Sequence, residues 1–277
     1  MTGSGSTWGG ERLDLDAYLA RIGYAGDRRP TLETLRALHA AHSDAIGFEN
    51  VEIVLGRPIP LDLETLQAKM VRQRRGGYCY EQNLLYAAAL ERLGFRVSGL
   101  GARIRMGDDK VRPVTHALLK VELDGADWIT DVGFGGEALL APLPLRDGVE
   151  DRQGAWTFGL IREQETGAWV LRSLHEDGWF DLYAFGTEQR FPVDYTVFNH
   201  YISTHPRSPF TGRIVAQKPG SGLRRTLVGR ELARTRPDWS RDVREVAPEE
   251  IPALLDAEFG ITLSAADAEA LVATYEE

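Results

Sequence analysis

The chain has 277 residues, 43% hydrophobic and 26% charged, with 32 Lys and Arg against 41 Asp and Glu. A chain of that length buries about three-quarters of the surface it exposes when unfolded, so it needs no covalent staples. A net charge of −9 argues against a nucleic-acid backbone or an anionic membrane as partner. The single cysteine, Cys79, excludes an intrachain disulfide framework and any multi-thiolate metal site. No apolar run approaches about 18 residues, and no basic stretch followed by an apolar core opens the chain. The expected compartment is therefore the cytoplasm, and the Gly/Ser-rich start, residues 1–14, reads as a flexible leader.

Helical patterns come first. Residues 15–24 suggest a short helix, and Thr31 is placed to cap a second that runs to about Ile46, with Leu32, Leu35 and Leu38 at helical spacing. His39 and His42 are expected on the surface of that helix. Asp62 can cap a third helix, and the basic run at 72–75 suits its C-terminal dipole. Gly76-Gly77 breaks the chain, and Glu81–Leu93 regains the helical period until Gly94 closes it. After Phe95 the period becomes two. Residues 95–106, 114–123 and 127–134 alternate, with Asp124-Gly125 as a hairpin turn, and further strands are expected near 156–162, 169–174 and 179–185. Pro192–Pro209 reads as a helix running into a loop, and strands are expected around 212–232. The mixed-charge stretch 227–244 reads as a solvated face. Two C-terminal helices follow, with Pro248 in the first turn of one and Ser264 with Asp267 capping the other. This order predicts an α+β fold: helical residues 1–95, sheet residues 96–190 and a mixed α/β segment 191–277.

The chemistry centres on Arg75-Gly76-Gly77-Tyr78-Cys79, where a glycine turn meets a helix start. Free backbone N–H groups and the positive helix end favour an anion there, so Cys79 is a candidate nucleophile, although a buried thiol can simply pack. A nucleophilic thiol needs a base, and the base an orienting acceptor. If Asp124-Gly125 is a two-residue turn, His116 falls opposite Gly133, and Asp131 lies two residues along on the same face. A three-residue turn would reverse the parity. The carboxylates at 107–110 and 124–131 lack calcium-loop spacing and read as turns.

These motifs resemble the arylamine N-acetyltransferase family. The likeness stands in RRGGYCYEQN (74–83), PVTHALLKV (113–121) and DVGFGG (131–136), supported by PTLETLRALHAAH (30–42), IGFENVEIVLGRPI (46–59) and NHYISTHPRSPF (199–210). It covers residues 15 to 230 or so. Gly47 stands where the family usually has Pro. The resemblance implies a helical bundle, an antiparallel β-barrel and an α/β lid. It implies Cys79 as acyl acceptor, His116 as base and proton shuttle, and Asp131 as the group orienting the imidazole. Phe48, Phe134 and Phe198 would flank the acceptor, while Thr115, Gly133, Gly135 and Gly136 would edge the entry of acetyl-CoA. Glu49 and Arg75 match a structural ion pair. The implied reaction is ping-pong acetyl transfer from acetyl-CoA to a small aromatic amine or hydrazine, with no metal. The same motifs also occur in amide synthases that close a macrolactam from an enzyme-bound acyl chain, and a non-catalytic binding module on this fold is a third reading. Cysteine peptidases share the Cys-His-Asp logic, but the surrounding motifs point away from them. Within 212–225, Lys218, Arg224 and Arg225 are candidates to meet the CoA phosphates, with Arg213, Lys218 and Arg225 the first charges to neutralise in a test.

Overall fold

The computed structural model describes residues 6–108 and 110–275. Helices α1 (Leu15–Arg21), α2 (Leu32–Ala45), α3 (Val51–Val54), α4 (Leu63–Leu66) and α5 (Cys79–Arg92) form the first part, and a wider π-type turn, Gln67–Arg72, prolongs α4. Asp14, Thr31 and Asp62 each accept a hydrogen bond from a first-turn N–H and so start α1, α2 and α4. Helix α5 is buried on nearly every face, from Cys79 to Leu90, and is the axis around which the others pack.

Two of the sequence expectations are corrected here. Residues 1–5 lie outside the described structure, but from Ser6 onward the supposed leader is docked. Glu91 on α5 accepts from the N–H groups of Thr7, Trp8 and Gly10, and the buried Trp8 ring donates to the Val97 carbonyl at 3.2 Å. A tryptophan in a Gly-rich stretch supplies the apolar anchor that the composition hides. His39 and His42 are also buried, not solvated. His39 bridges Thr130 (2.7 Å) and the Leu139 carbonyl (2.8 Å), and His42 meets the Tyr18 hydroxyl at 2.8 Å. Burial lowers their pKa values to about 4 and about 3, so both are neutral imidazoles tying α2 to its neighbours.

Strand β1 (Phe48–Glu49) lies between α2 and α3, and the remaining strands follow α5. Strands β2 (Arg96–Ile104), β3 (His116–Leu123), β4 (Ala126–Thr130), β5 (Leu143–Pro144), β6 (Val149–Gln153), β7 (Trp156–Arg162), β8 (Trp169–His175) and β9 (Gly178–Phe185) form one antiparallel sheet. Its order is β5-β4-β3-β2-β9-β8-β7-β6. The sheet curls until its two edge strands approach, and the Gln153 side chain spans the seam. It accepts from the N–H groups of Leu140 and Ala141 (2.7 and 3.0 Å) and donates to the Ala141 carbonyl (2.9 Å). Asp124 and Gly125 both take positive φ, 51° and 76°, and make the two-residue turn that sets the β3–β4 register. Strand β3 is buried on both faces: Ala117, Leu119 and Val121 pack into the helical core, while Leu118 points into the barrel.

Helix α6 (Pro192–Thr204) leads to the second sheet, strands β10 (Val215–Lys218), β11 (Arg224–Val228), β12 (Glu231–Thr235) and β13 (Arg241–Glu245). Strand β1 completes it in the order β1-β10-β11-β12-β13. The stretch 227–244, expected as a solvated face, therefore includes an edge strand, β13, all of whose residues are exposed. Pairing with β12 sets its conformation, although its composition lacks an apolar face. Helices α7 (Ile251–Phe259) and α8 (Ala265–Ala273) cover one side of this sheet, burying Ile214, Ala216, Leu227 and Leu232 against Leu255, Phe259 and Leu271. Pro248 opens a 3₁₀ turn just ahead of α7, and Ser264 caps α8.

Replacing Gln153 by Ala leaves three backbone groups at the barrel seam without their partner and is expected to lower unfolding stability by about 1–3 kcal/mol. Urea denaturation of the variant checks this, and an unchanged midpoint would show that the seam does not depend on the side chain.

Candidate active site

Cys79 is the first residue of α5, so its sulfur sits at the helix end where N–H groups are unpaired. The turn leading to it is held by close backbone contact. Gly77 N–H donates to the Gly47 carbonyl (3.2 Å), and Glu49 N–H donates to the Gly77 carbonyl (3.2 Å). A Cβ on Gly76 would stand 2.2 Å from the Gly47 carbonyl, which is why that position is glycine. Beneath the turn lies a buried set of charges. Lys69 donates to Glu81 (2.7 Å), Arg75 to Glu49 (3.0 Å), and Arg75 also meets Glu52 (3.0 Å). Glu81 in turn accepts from the Tyr78 N–H (3.1 Å), fixing the helix start beside the thiol.

His116, 3% exposed, and Asp131, 1% exposed, meet as the β3–β4 register requires: the two-residue turn brings Nε2 of the imidazole to 2.6 Å from Asp131 Oδ2. That leaves Nδ1 for the Cys79 side. Burial opposes a charged imidazole, but the Asp131 carboxylate and its hydrogen bond outweigh it, with a further contribution from Cys79, and the His116 pKa is raised to about 10. Burial likewise opposes ionised Asp131, yet the His116 charge and hydrogen bonds from His116, Asn83 and Gly133 hold its pKa below the ordinary carboxylate value. A charged imidazole next to a sulfur favours negative charge on it.

Two residues of this arrangement were not picked out from the sequence. Asn83 donates to Asp131 Oδ1 (3.0 Å) and to the Ala117 carbonyl (2.8 Å), and Tyr183 on β9 donates to Asp131 Oδ2 (3.0 Å). Asn83 was findable, since it lies one turn after Cys79 on the same helix. Tyr183 was not, because its reach depends on β9 pairing with β2 across 80 residues of chain. Gly133 backs onto the nucleophile, and a Cβ there would lie 2.8 Å from Cys79 Cα.

Cys79 and His116 open into a cavity of about 810 Å³. Phe48, Thr115, Gly133, Phe134 and Gly136 line it, together with Ile202, Ser208 and Phe210, which the sequence reading did not single out. Phe134 stands edge-on to His116 at 5.2 Å, and Phe48 meets Phe210 at 5.6 Å. Asp131 stays behind His116 and does not reach the cavity wall. Gly135 abuts Gln217, and Phe198 packs against Tyr195 away from the cavity. Of the basic residues put forward for the phosphates, Arg224 lines the cavity and Arg213, Lys218 and Arg225 are placed elsewhere. Lys218 and Arg225 are paired across β10 and β11 on the α7 side of the sheet, Arg225 bonds Glu258 (2.9 Å), and Arg213 donates to the Pro209 carbonyl. Arg224, one residue earlier and therefore on the opposite face, lines the cavity, as do Arg112, Arg207 and Arg241. Among the described residues no group of three or more His, Cys, Asp or Glu could hold a metal ion.

Residues 31–268 match the protein family described as N-acetyltransferase. The chain is 38% identical to an arylamine N-acetyltransferase of Mycolicibacterium smegmatis over 257 residues, covering 91% of this chain and 93% of the relative. Its fold is similar to the crystal structure of the Nocardia farcinica arylamine N-acetyltransferase, with a TM-score of 0.92, 49% identity and 98% coverage of both chains. The Mycobacterium marinum arylamine N-acetyltransferase in complex with CoA superposes with a TM-score of 0.87 at 36% identity, covering 94% of this chain and 98% of that one.

The raised His116 pKa makes stability pH-dependent in a definite direction. A group whose pKa rises on folding contributes fully below its ordinary value, here 6.5, and loses that contribution as pH climbs to about 10. The unfolding free energy of the wild type relative to His116→Gln is expected to shrink as pH goes from 6.5 towards 10; a constant difference would show that the imidazole is not held charged. Asp131→Asn removes the charge that holds the imidazolium, so alkylation of Cys79 near neutral pH is expected to slow by about tenfold or more. Iodoacetamide labelling followed by mass spectrometry reads that rate directly.

Proposed function

Because the chain belongs to the arylamine N-acetyltransferase family, we propose that it transfers the acetyl group of acetyl-CoA to small arylamines and arylhydrazines through an acetyl-cysteine at Cys79. The observation that carries this reading is the buried Asp131–His116 pair placed beside the one thiol of the chain, at the wall of a cavity. The Cys79 sulfur attacks the thioester carbonyl; its S–C bond forms as the CoA sulfur leaves, and the His116 imidazolium supplies the proton that the departing thiolate takes. The amine then attacks the acetyl-cysteine, the now neutral imidazole accepts its proton, and Cys79 departs as thiolate. One acyl group moves at each step and no oxidant or metal is consumed.

Each remaining residue has a part in this scheme. Asp131 keeps the imidazole oriented with Nδ1 towards the sulfur, and Asn83 and Tyr183 keep Asp131 in place. Phe48, Phe134 and Phe210 offer aromatic faces to the ring of an acceptor. Thr115, Gly133 and Gly136 border the path by which the thioester reaches the thiol. The cavity wall carries four arginines, at 112, 207, 224 and 241, against one glutamate, Glu137, which suits an anionic donor although the chain as a whole is at −9. No helix among the described residues is long and apolar enough to cross a membrane.

Mixing the protein with acetyl-CoA in the absence of amine is expected to add the mass of one acetyl group, absent in Cys79→Ser, and an added arylamine should discharge it. Initial rates against both substrates should give the parallel lines of ping-pong kinetics. An unmodified mass, or an adduct that persists in the serine variant, would overturn the assignment.

A further inference from the structure

We infer that the free edge of the second sheet is an interface on which two copies of this chain pair, strand β13 running antiparallel to strand β13. Among the described residues β13 pairs with β12 on one side and with no strand on the other, and every one of its residues is exposed. An unpaired edge presents open N–H and C=O groups that a further strand can meet. The β12–β13 ladder fixes which residues present them. Val246 N–H donates to the Arg230 carbonyl (2.8 Å), and Arg236 N–H donates to the Ser240 carbonyl (3.0 Å). Bonded and non-bonded pairs alternate along an antiparallel ladder, so Asp242 and Arg244 turn their backbone groups to β12. Arg241, Val243 and Glu245 turn theirs outwards.

The side chains select the occupant. Outwards from Val243, the strand carries Asp242 and Arg241 in one direction, Arg244 and Glu245 in the other. A second β13 laid antiparallel about a two-fold axis through Val243 sets Asp242 opposite Arg244 and Arg241 opposite Glu245, each twice. The same register brings the outward backbone groups of Arg241, Val243 and Glu245 against those of Glu245, Val243 and Arg241, and each pair exchanges two hydrogen bonds. The nearest registers that keep these bonds move the axis to Asp242 or to Arg244. Either one puts that residue opposite its own copy, like charge against like. A run of one sign repels a second strand, whereas this alternation is complementary to itself. Within one copy Glu231 and Glu245 stand opposite each other, and Arg241 of the second copy brings a further cation to that pair. The existing contacts of the two arginines, Arg241 with Glu231 (3.5 Å) and Arg244 with Glu250 (2.8 Å), are surface pairs that are given up or shared at little loss. With the axis perpendicular to the sheet, two five-stranded sheets become one, and both cavities lie on the same side of it.

Two short strands bury less than a standard interface, so the dimer should form only above roughly 10 µM chain. Sedimentation velocity across about 1 to 500 µM is expected to show the wild type passing from monomer to dimer. Val243→Pro removes a donor that points only outwards, where an edge strand tolerates proline, and should raise the dissociation constant about tenfold or more. Two charge variants test the register without proline. Asp242→Lys and Arg244→Glu each give the α7 face of β13 a single sign, so each alone should stay monomeric over that range. Mixed in equal amounts, the two should form a heterodimer, which a merely structural effect of either substitution would not produce. A wild type that is monomeric throughout, a Val243→Pro variant as dimeric as the wild type, or a mixture that stays monomeric would each overturn the pairing.

Discussion

A carboxylate buried to 1% exposure is the point on which the rest of this structure turns. Asp131 accepts hydrogen bonds from an imidazole on β3, an amide on α5, a phenol on β9 and the backbone N–H of Gly133. An anion removed from water in this way is tolerable only when its oxygens are fully occupied. Each of its partners comes from a different element, so satisfying the charge obliges the helical core and the barrel to dock in one relative position. The geometry of the His116–Asp131 pair and the joint between the two cores are thereby the same set of contacts.

The charges under Cys79 work on a second joint. Arg75 lies between Glu49 and Glu52 and comes within 3.8 Å of Asp267 near the start of α8, while Lys69 reaches Glu81 at the start of α5. The residue before the glycine turn is thus linked to the C-terminal helices, and the residue that caps the nucleophile's helix is linked to the wide turn after α4. Buried ion pairs contribute little net stability after desolvation, but they are selective for one arrangement. Here the selected arrangement is a turn tight enough that Gly76 has no space for a Cβ.

Much of this was legible in the sequence, and the legible parts share a cause. The Asp124-Gly125 turn fixes a two-residue connection, and parity alone then places His116 and Asp131 together. Caps at Thr31, Asp62 and Ser264 are local signals and sit where local rules put them. The illegible parts depend on distant partners. Polar His39 and His42 look like surface residues until Thr130, Leu139 and Tyr18 arrive to bond them. Trp8 anchors a segment whose glycines suggest mobility. Arg224 and Arg225 are adjacent and chemically identical, and only the strand pairing shows which of them faces the cavity.

The two-residue strand Phe48–Glu49 has a wider implication. It sits in the amino-terminal third of the chain but forms the edge of the carboxy-terminal sheet, paired with Ala216 and Gln217. Phe48 also borders the cavity, and Glu49 belongs to the charge set under the thiol. Spatial units and contiguous stretches of chain therefore do not coincide. A chimera that exchanged everything after residue 190 with a relative would carry a foreign β10 against the native β1 and would break continuity at the cavity wall. Recombination within such a scaffold is constrained to treat this short strand and the distal sheet as one inherited block.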